Sequence, residues 1–542
     1  MQKSIRASMT AILALVMAII LALAGCSGNN GGKEPTPPAT GGNNDKPQNT
    51  ATEPPPEPKS DPITLKVELF DRNNTPDGAP PITDNFMTQY VQENFGDPNN
   101  ITVEFVTLPR SEEVQKLNVL MASNSAPDIV FTYDKATVQN YVKSGGLTDL
   151  GPIIDEHGDQ LKKVLGPSLP YGMFDGKQYT IPALRVITAQ TTTFIRKDWL
   201  DQLGLPLPET TEQFVDALRA FKEQDPGKTG GKVIPYSYID VFHMQPLLQS
   251  FWDWNNISER DLYAVPKWKQ PGNKEGLRLL NQMYNEKLID PDFGLGSEFS
   301  QVFAQQVVNG IAGAATPNTN EPVYNGYYAN LKENNPDAVL EPIDPFTTPD
   351  GKHPKPIYSP TGAYLMVPKA SKNAEAAVKY LNWMAQPENI LALQNGKAGV
   401  SYEIGEDGLP FVLDTPEAQQ LLYNYYDYCI ILNGKYVTPD DPDKNIAANA
   451  FDPNFKDFTV RSIEYGTNDG YTEPRVDIPV DAEIKYSTIL KDKEKEMLTK
   501  IVTAKPADFD AVHDKQVKEY MDMGGTAVEE GRGAAYDEFY KS

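Results

Sequence analysis

The stretch ITLKVELF, residues 63–70, alternates β-branched or aliphatic positions with polar ones and predicts a strand. DNFMTQYVQENFG (84–96) changes to helical spacing and stops at Gly96, and ITVEFVTL (101–108) returns to the strand pattern. Ser111 is placed to cap EEVQKLNVLMAS, in which Val114, Leu117 and Met121 share one helical face. Pro127 breaks the chain before DIVFTYD (128–134), a buried strand that opens into a loop. Strand, helix, strand, helix, strand predicts an α/β fold with a largely parallel sheet and helices on both faces. Such sheets bind ligands at the carboxyl ends of their strands. That rule selects Asp71 and Arg72 after the first strand, and Thr132, Tyr133 and Asp134 after the third.

Further helices are predicted in IRKDWLDQLGLPLPETTEQFVDALRAFKEQDP (195–226), where Gly204 and Pro206 end one and Thr210 with Gln213 opens the next. NKEGLRLLNQMYNEKL (273–288) and SKNAEAAVKYLNWM (371–384) are amphipathic helices, and GAYLMVP (362–368) is a strand. The chain beyond about residue 404 is less regular, with helices predicted only over 484–502 and 509–523. No repeat of solenoid period is found.

The N-terminus has a different pattern. Lys3 and Arg6 precede an unbroken apolar run over 11–24, which fits a secretory signal and is short for a membrane span. It ends in Leu23-Ala24-Gly25-Cys26, which resembles a bacterial lipobox. That likeness implies cleavage after residue 25 and diacylglycerol on the Cys26 thiol, with more than one acyl chain for stable anchoring. From 27 to 61 the chain holds eight prolines and five glycines, with Ala39 and Ala51 as its only hydrophobic residues. It has too little apolar surface to offset ordering, so a tether over 26–61 is expected.

Composition narrows the function. Among 542 residues, 39% are hydrophobic, which is enough for sizeable cores. A net charge of −25 excludes a nucleic-acid partner and restricts membrane contact to the lipid anchor. The one cysteine outside the leader, Cys429, lies in the apolar run YNYYDYCII and reads as a buried thiol. His157, His243, His353 and His513 are scattered without zinc spacing, there is no G-x-S-x-G elbow, and PGKTGGK (226–232) has Lys222 where a phosphate loop needs glycine. No catalytic residue, metal or cofactor is predicted.

Five segments resemble one family in order along the chain: KLNVLMASNSAPDIVF, DGKQYTIPA, IRKDWLDQLGLPLP, NKEGLRLLNQMYNEKLIDPDF and AYLMVPKASKNAEAAVKYLNWM. They are similar to family 1 extracellular solute-binding proteins of ABC transporters, in particular the large lipoproteins of Gram-positive bacteria. The region PADFDAVHDKQVKEYMDMGG (506–525) matches less specifically. The resemblance implies a type II two-lobed fold with a hinge and a ligand cleft between lobes, lobe one over 62–184 plus 356–405 and lobe two over 185–353 plus 406–542. It implies a monomer on the extracellular face, capturing an oligosaccharide and passing it to a permease driven by an ATPase, without chemistry on the ligand. Its placement adds Arg185, Trp252, Asp253, Trp254, Asn318 and Tyr358 to Asp71, Arg72, Tyr133 and Asp134 as cleft candidates. For each, a surface ion pair or a packed ring is the alternative. Two cleft arginines, Arg72 and Arg185, would suit a uronate-bearing sugar through bidentate pairing. Some relatives bind calcium in a D-x-N-x-N-G loop; the corresponding DPGKTGGKVIP lacks alternating oxygen ligands, so no calcium site is expected there.

In QSFWDWNN (249–256), an extended backbone would put Trp252 and Trp254 on one face, as a stacking platform with Asp253 accepting hydroxyls. At least one of the two indoles is expected to line the cleft, with lobe-two core as the alternative. Three other functions stay open: a binding protein for peptides or another polar solute, a surface-anchored glycoside hydrolase or lyase, and a sensor lipoprotein.

Overall fold

The computed structural model describes residues 62–237, 240–293, 299–450 and 453–541. Cys26, the leader and the tether lie outside them. The fold is α/β with two separate cores, each built around its own mixed sheet.

In lobe one, strands Ile63–Asp71 and Ile101–Pro109 pair in parallel with Ile63 opposite Ile101. On the other side of the first strand, Ile129 bonds Lys66 and Glu68 through the backbone, leading into strand Val130–Thr132. Strand Thr361–Met366 runs antiparallel to both Val130–Thr132 and Thr180–Arg185. The sheet is therefore mixed, where a largely parallel one was expected. The reason is connectivity: Thr361–Met366 re-enters the lobe from the crossing and must run against its neighbours. Helix Ala374–Met384 covers the sheet with Ala377, Val378, Tyr380, Leu381 and Met384, all buried.

The alternation in 63–70 holds only at the start of the strand. Leu65, Val67, Leu69 and Phe70 are buried, but so is Glu68. Its Oε2 accepts the Phe131 N–H at 3.0 Å, and burial pushes its carboxyl well above the usual range.

The second departure concerns the lobe boundary. Residues after 405 were assigned to lobe two, but Leu422, Tyr425, Tyr428, Ile430 and Ile431 pack in the lobe-one core. Strand Leu432–Asn433 then pairs in parallel with Thr180–Arg185. The run YNYYDYCII is apolar because it closes this sheet edge, and Cys429 is buried within it.

Lobe two has the strand order Leu340–Ile343, Thr193–Arg196, Ala312–Ala315, Ile234–Ser237. Helix Thr211–Gln224 packs Phe214, Leu218 and Phe221 on it, with Thr210 Oγ1 accepting the Gln213 N–H as its cap. The small residues of Ala312–Ala315 are required by this packing: a Cβ on Gly313 would lie 2.6 Å from the Phe221 ring. Helix Asp481–Val502 adds Met497, Leu498, Ile501 and Val502 to the same core.

Three segments cross between lobes. The first follows Arg185, and Thr188 O accepts the Tyr358 N–H of the second at 2.7 Å. The second, around strand Lys355–Pro356, pairs with Gly470–Tyr471. The third leaves Asn433 through Lys435, whose backbone exchanges hydrogen bonds with the Asn449 side chain.

Candidate functional site

Strand Val130–Thr132 ends where helix Lys135–Lys143 begins. Asp134 is the N-cap, its Oδ1 accepting the Thr137 N–H at 2.7 Å. This turn presents Tyr133, Asp134 and Lys135 to a cavity of about 730 Å³ between the lobes. Phe242, Gln249, Trp252 and Tyr263 of lobe two face it, and Tyr358 and Tyr471 close it at the crossings. Flat rings among amides and charges can cover the C–H faces of a sugar and bond its hydroxyls.

The charges of the cavity are mostly spent on one another. Arg532 lies over the Tyr263 ring at 4.2 Å and bonds Glu473 at 2.6 Å and Glu483 at 3.2 Å. Lys267 meets Glu494 at 3.0 Å, Lys491 meets Asp134 at 3.6 Å, and Arg475 pairs with Asp477. Lys135 differs. Its ammonium has no hydrogen bond or ion pair to a described residue, and its side chain is exposed to the cavity. Desolvation by the surrounding walls holds it below the ordinary lysine value, with Glu483 acting the other way.

Arg185 stands behind Tyr358, its guanidinium carbon 3.9 Å from the ring centroid and its Nε donating to Thr361 O at 3.1 Å. Desolvation lowers its pKa, opposed by nearby tyrosine hydroxyls, and among the described residues no carboxylate pairs with it. Tyr358 stacks toward Phe242, with centroids 6.2 Å apart. The Asn318 side chain reaches toward the Tyr358 hydroxyl, and the Asn318 backbone N–H donates to Glu321 Oε2 at 3.3 Å. Burial lifts that glutamate to about 7.

Asp71 and Arg72 do not line this cavity. Asp71 accepts the Asn73 N–H. Arg72 holds buried Asp427 with two bonds, Nε to Oδ2 at 2.7 Å and Nη2 to Oδ1 at 2.9 Å. Its fork is thus occupied within lobe one. Near it lies Arg110, which sequence reasoning missed: it stacks 5.0 Å from both Phe70 and Tyr133 and so fixes the Tyr133 ring.

The tryptophan pair divides. Trp252 is only 6% exposed, donates Nε1–H to Asn273 Oδ1 at 3.0 Å, and touches the cavity with one edge. Asp253 and Trp254 line a different cavity on lobe two, so their expected place in the cleft does not match the structure. The backbone turns through a short 3₁₀ segment, Trp254–Asn256, where extended chain was one option.

Lys135, Tyr471, Glu483, Lys491 and Arg532 were not identified from sequence. Lys135 had a signal, adjoining Asp134 in the selected loop. The others come from the C-terminal region, whose pattern gives no topological cue. In the DPGKTGGKVIP loop, Asp225 accepts the Thr229 and Gly231 N–H groups and the Thr229 hydroxyl, so its oxygens already serve the turn. No cluster of metal-ligating side chains occurs among the described residues.

Residues 79–390 match the model of the family described as bacterial extracellular solute-binding protein. Lipoprotein LipO of Bacillus subtilis (strain 168) is 26% identical over 342 residues, 60% of this chain and 65% of that protein. The polygalacturonan/rhamnogalacturonan-binding protein YtcQ of the same organism is 25% identical over 328 residues, 57% of this chain and 62% of that protein. The chain thus spans somewhat less than two-thirds of each of these relatives. Among solved structures, the Streptococcus pneumoniae ABC-transporter substrate-binding protein FusA in complex with kestose superposes with a TM-score of 0.64 at 17% identity, covering 88% of this chain and 99% of that one. That similarity concerns the fold, and it agrees with the two-lobed α/β architecture. By the extent of its family match and by its fold, the chain belongs to the bacterial extracellular solute-binding proteins.

Proposed function

We propose that this solute-binding protein captures a uronate-bearing oligosaccharide between its lobes and delivers it, unaltered, to an ABC permease. In this reading Cys26 carries the lipid anchor on the extracellular face of the cell membrane, and the bound form is a closed monomer. One observation carries the ligand class: Lys135 lines the cleft without an ion pair to a described residue, and Arg185, behind Tyr358, is paired with no carboxylate among them. An ammonium that faces the cleft without an ion pair keeps its donors for an incoming anion. The tyrosines and Phe242 supply faces for the rings, and a ligand touching both lobes favours closure by its differential affinity. The relatives named for polygalacturonan and for fructooligosaccharide fit a saccharide ligand.

The test is intrinsic tryptophan fluorescence during titration with oligogalacturonates, followed by chromatography of the recovered sugar. A saturable spectral shift with the sugar returned at full length is expected. Shortened sugar would replace this reading with a hydrolase or lyase, and no shift with any acidic oligosaccharide would remove the ligand assignment.

A further inference from the structure

A second cavity, about 1190 Å³, opens on lobe two beside the cleft. It exceeds the ~300–1,000 Å³ of a drug-sized ligand site. Trp252 and Tyr471 line both cavities and form the partition between them. Trp254 faces only the second cavity. It meets Tyr471 edge to face at 4.9 Å and lies 5.4 Å from Trp252.

This aromatic surface is set before a ligand arrives. Trp254 Nε1 donates to Gln249 O at 3.0 Å, Trp252 is held by Asn273, and the Asp253 N–H donates to Pro271 O at 2.9 Å. Gly272, at φ +89°, lets the chain pass: a Cβ there would sit 1.9 Å from Phe251 O. Trp254 and Asp253 therefore keep one position on the cavity wall, which reduces the ordering cost of binding.

The electrostatics differ from those of the cleft. Glu212, Asp253, Asp350 and Asp469 face Arg219 and Lys352 in the lining. Arg219 is held by Glu286 and Asp216, and Lys352 lies 3.5 Å from Asp350. The surplus is negative. Carboxylates accept sugar hydroxyls but repel a uronate.

We infer that this cavity is a second saccharide site, which takes neutral oligosaccharides on the Trp254 face and excludes acidic ones. It is separate from the cleft and stands or falls independently of the ligand proposed there.

The experiment is calorimetric titration of the intact protein with neutral tetrasaccharides of gluco, manno and galacto configuration, alone and after saturation with tetragalacturonate. At least one neutral sugar is expected to bind with a Kd below ~10 mM and to remain bound beside the acidic one. Trp254→Ala is expected to weaken it by at least ~tenfold and leave tetragalacturonate within ~twofold. Asp253→Asn, at an exposed side chain, is expected to weaken it by ~threefold or more, and carries the test if the alanine variant does not fold. No neutral binding, displacement mole for mole by the acidic sugar, or unchanged affinity in the folded variants would overturn the inference. If tetragalacturonate itself fails to bind, the cleft assignment fails, and the second site is decided by the neutral titrations alone.

Discussion

Lys491 Nζ lies 3.6 Å from Asp134 Oδ2, so the cap of a lobe-one helix is paired with a helix of the lobe-two core. Lys143, at the end of the same lobe-one helix, bonds Asp481 at the start of that lobe-two helix. Two ion pairs thus join the lobe-one helix to the lobe-two helix. Lys491 is 70% exposed, and such pairs contribute about 0.2–1 kcal/mol. Lys491→Ala is expected to weaken saccharide binding by no more than ~fivefold, with 0.5 M salt doing the same to the parent by screening (~4 Å Debye length). Calorimetry at two salt concentrations checks this; a loss of ~hundredfold would mean that Lys491 touches the ligand directly.

The two neighbouring indoles have different duties, and their stabilities should separate. Trp252 is 6% exposed and hydrogen-bonded, so Trp252→Ala should cost about 3–5 kcal/mol. Trp254 is half-buried on a cavity wall, and Trp254→Ala should cost less than half as much. Denaturant unfolding gives both values, and equal losses would refute the division.

Arg72 is the partner of a carboxylate that is 2% exposed. Burial raises the Asp427 carboxyl, while the two bonds from Arg72 act against that rise. Arg72→Met leaves Asp427 buried and unpaired and should destabilise by about 3–5 kcal/mol. Arg72→Met with Asp427→Leu should recover more than half of this. Urea unfolding of both variants is the check, and a double variant as unstable as the single one would contradict the pairing argument.

Lys435 is buried at the third crossing, with Nζ bonded to Asn395 Oδ1 and Gln394 O and lying 4.1 Å from the Tyr425 ring centroid. Burial pushes its ammonium down from 10.5 to about 7. Between those values the unfolded chain holds a proton that the folded protein has lost, so stability rises with pH. The contribution is fully present above 10.5 and is lost as pH falls through about 7. Relative to Lys435→Met, the parent should gain stability from pH 7 to pH 9 in chemical denaturation. Parallel profiles would show that Lys435 does not titrate there.

The local elements of lobe one were legible because short segments carry their own period: 63–70, 101–108 and 371–384 each form the expected strand or helix. Tyr133 and Asp134 followed from one topological rule, since a loop after a parallel strand has little freedom in where it opens, and Lys135 adjoins them. Arg72 was misleading because its partner, Asp427, is 355 residues away and only the fold brings them together. Glu68 was invisible for a similar reason: the Phe131 N–H that donates to its buried carboxylate comes from another strand. The YNYYDYCII run was assigned to the wrong lobe because apolarity predicts burial without naming the sheet. In QSFWDWNN, a 3₁₀ turn replaced the extended backbone, leaving Trp252 on both cavities and Trp254 on the second alone.

In the proposed function, an anionic saccharide is held in the cleft by Lys135, which has no ion pair to a described residue. Lys135→Met tests it most directly, because the side chain is exposed and makes no hydrogen bond or ion pair to a described residue. Tetragalacturonate is titrated calorimetrically into the parent and the variant at equal melting temperature. Binding to the parent and a loss of at least ~tenfold in the variant are expected. Equal affinity in the two proteins, or no binding to either, would contradict it.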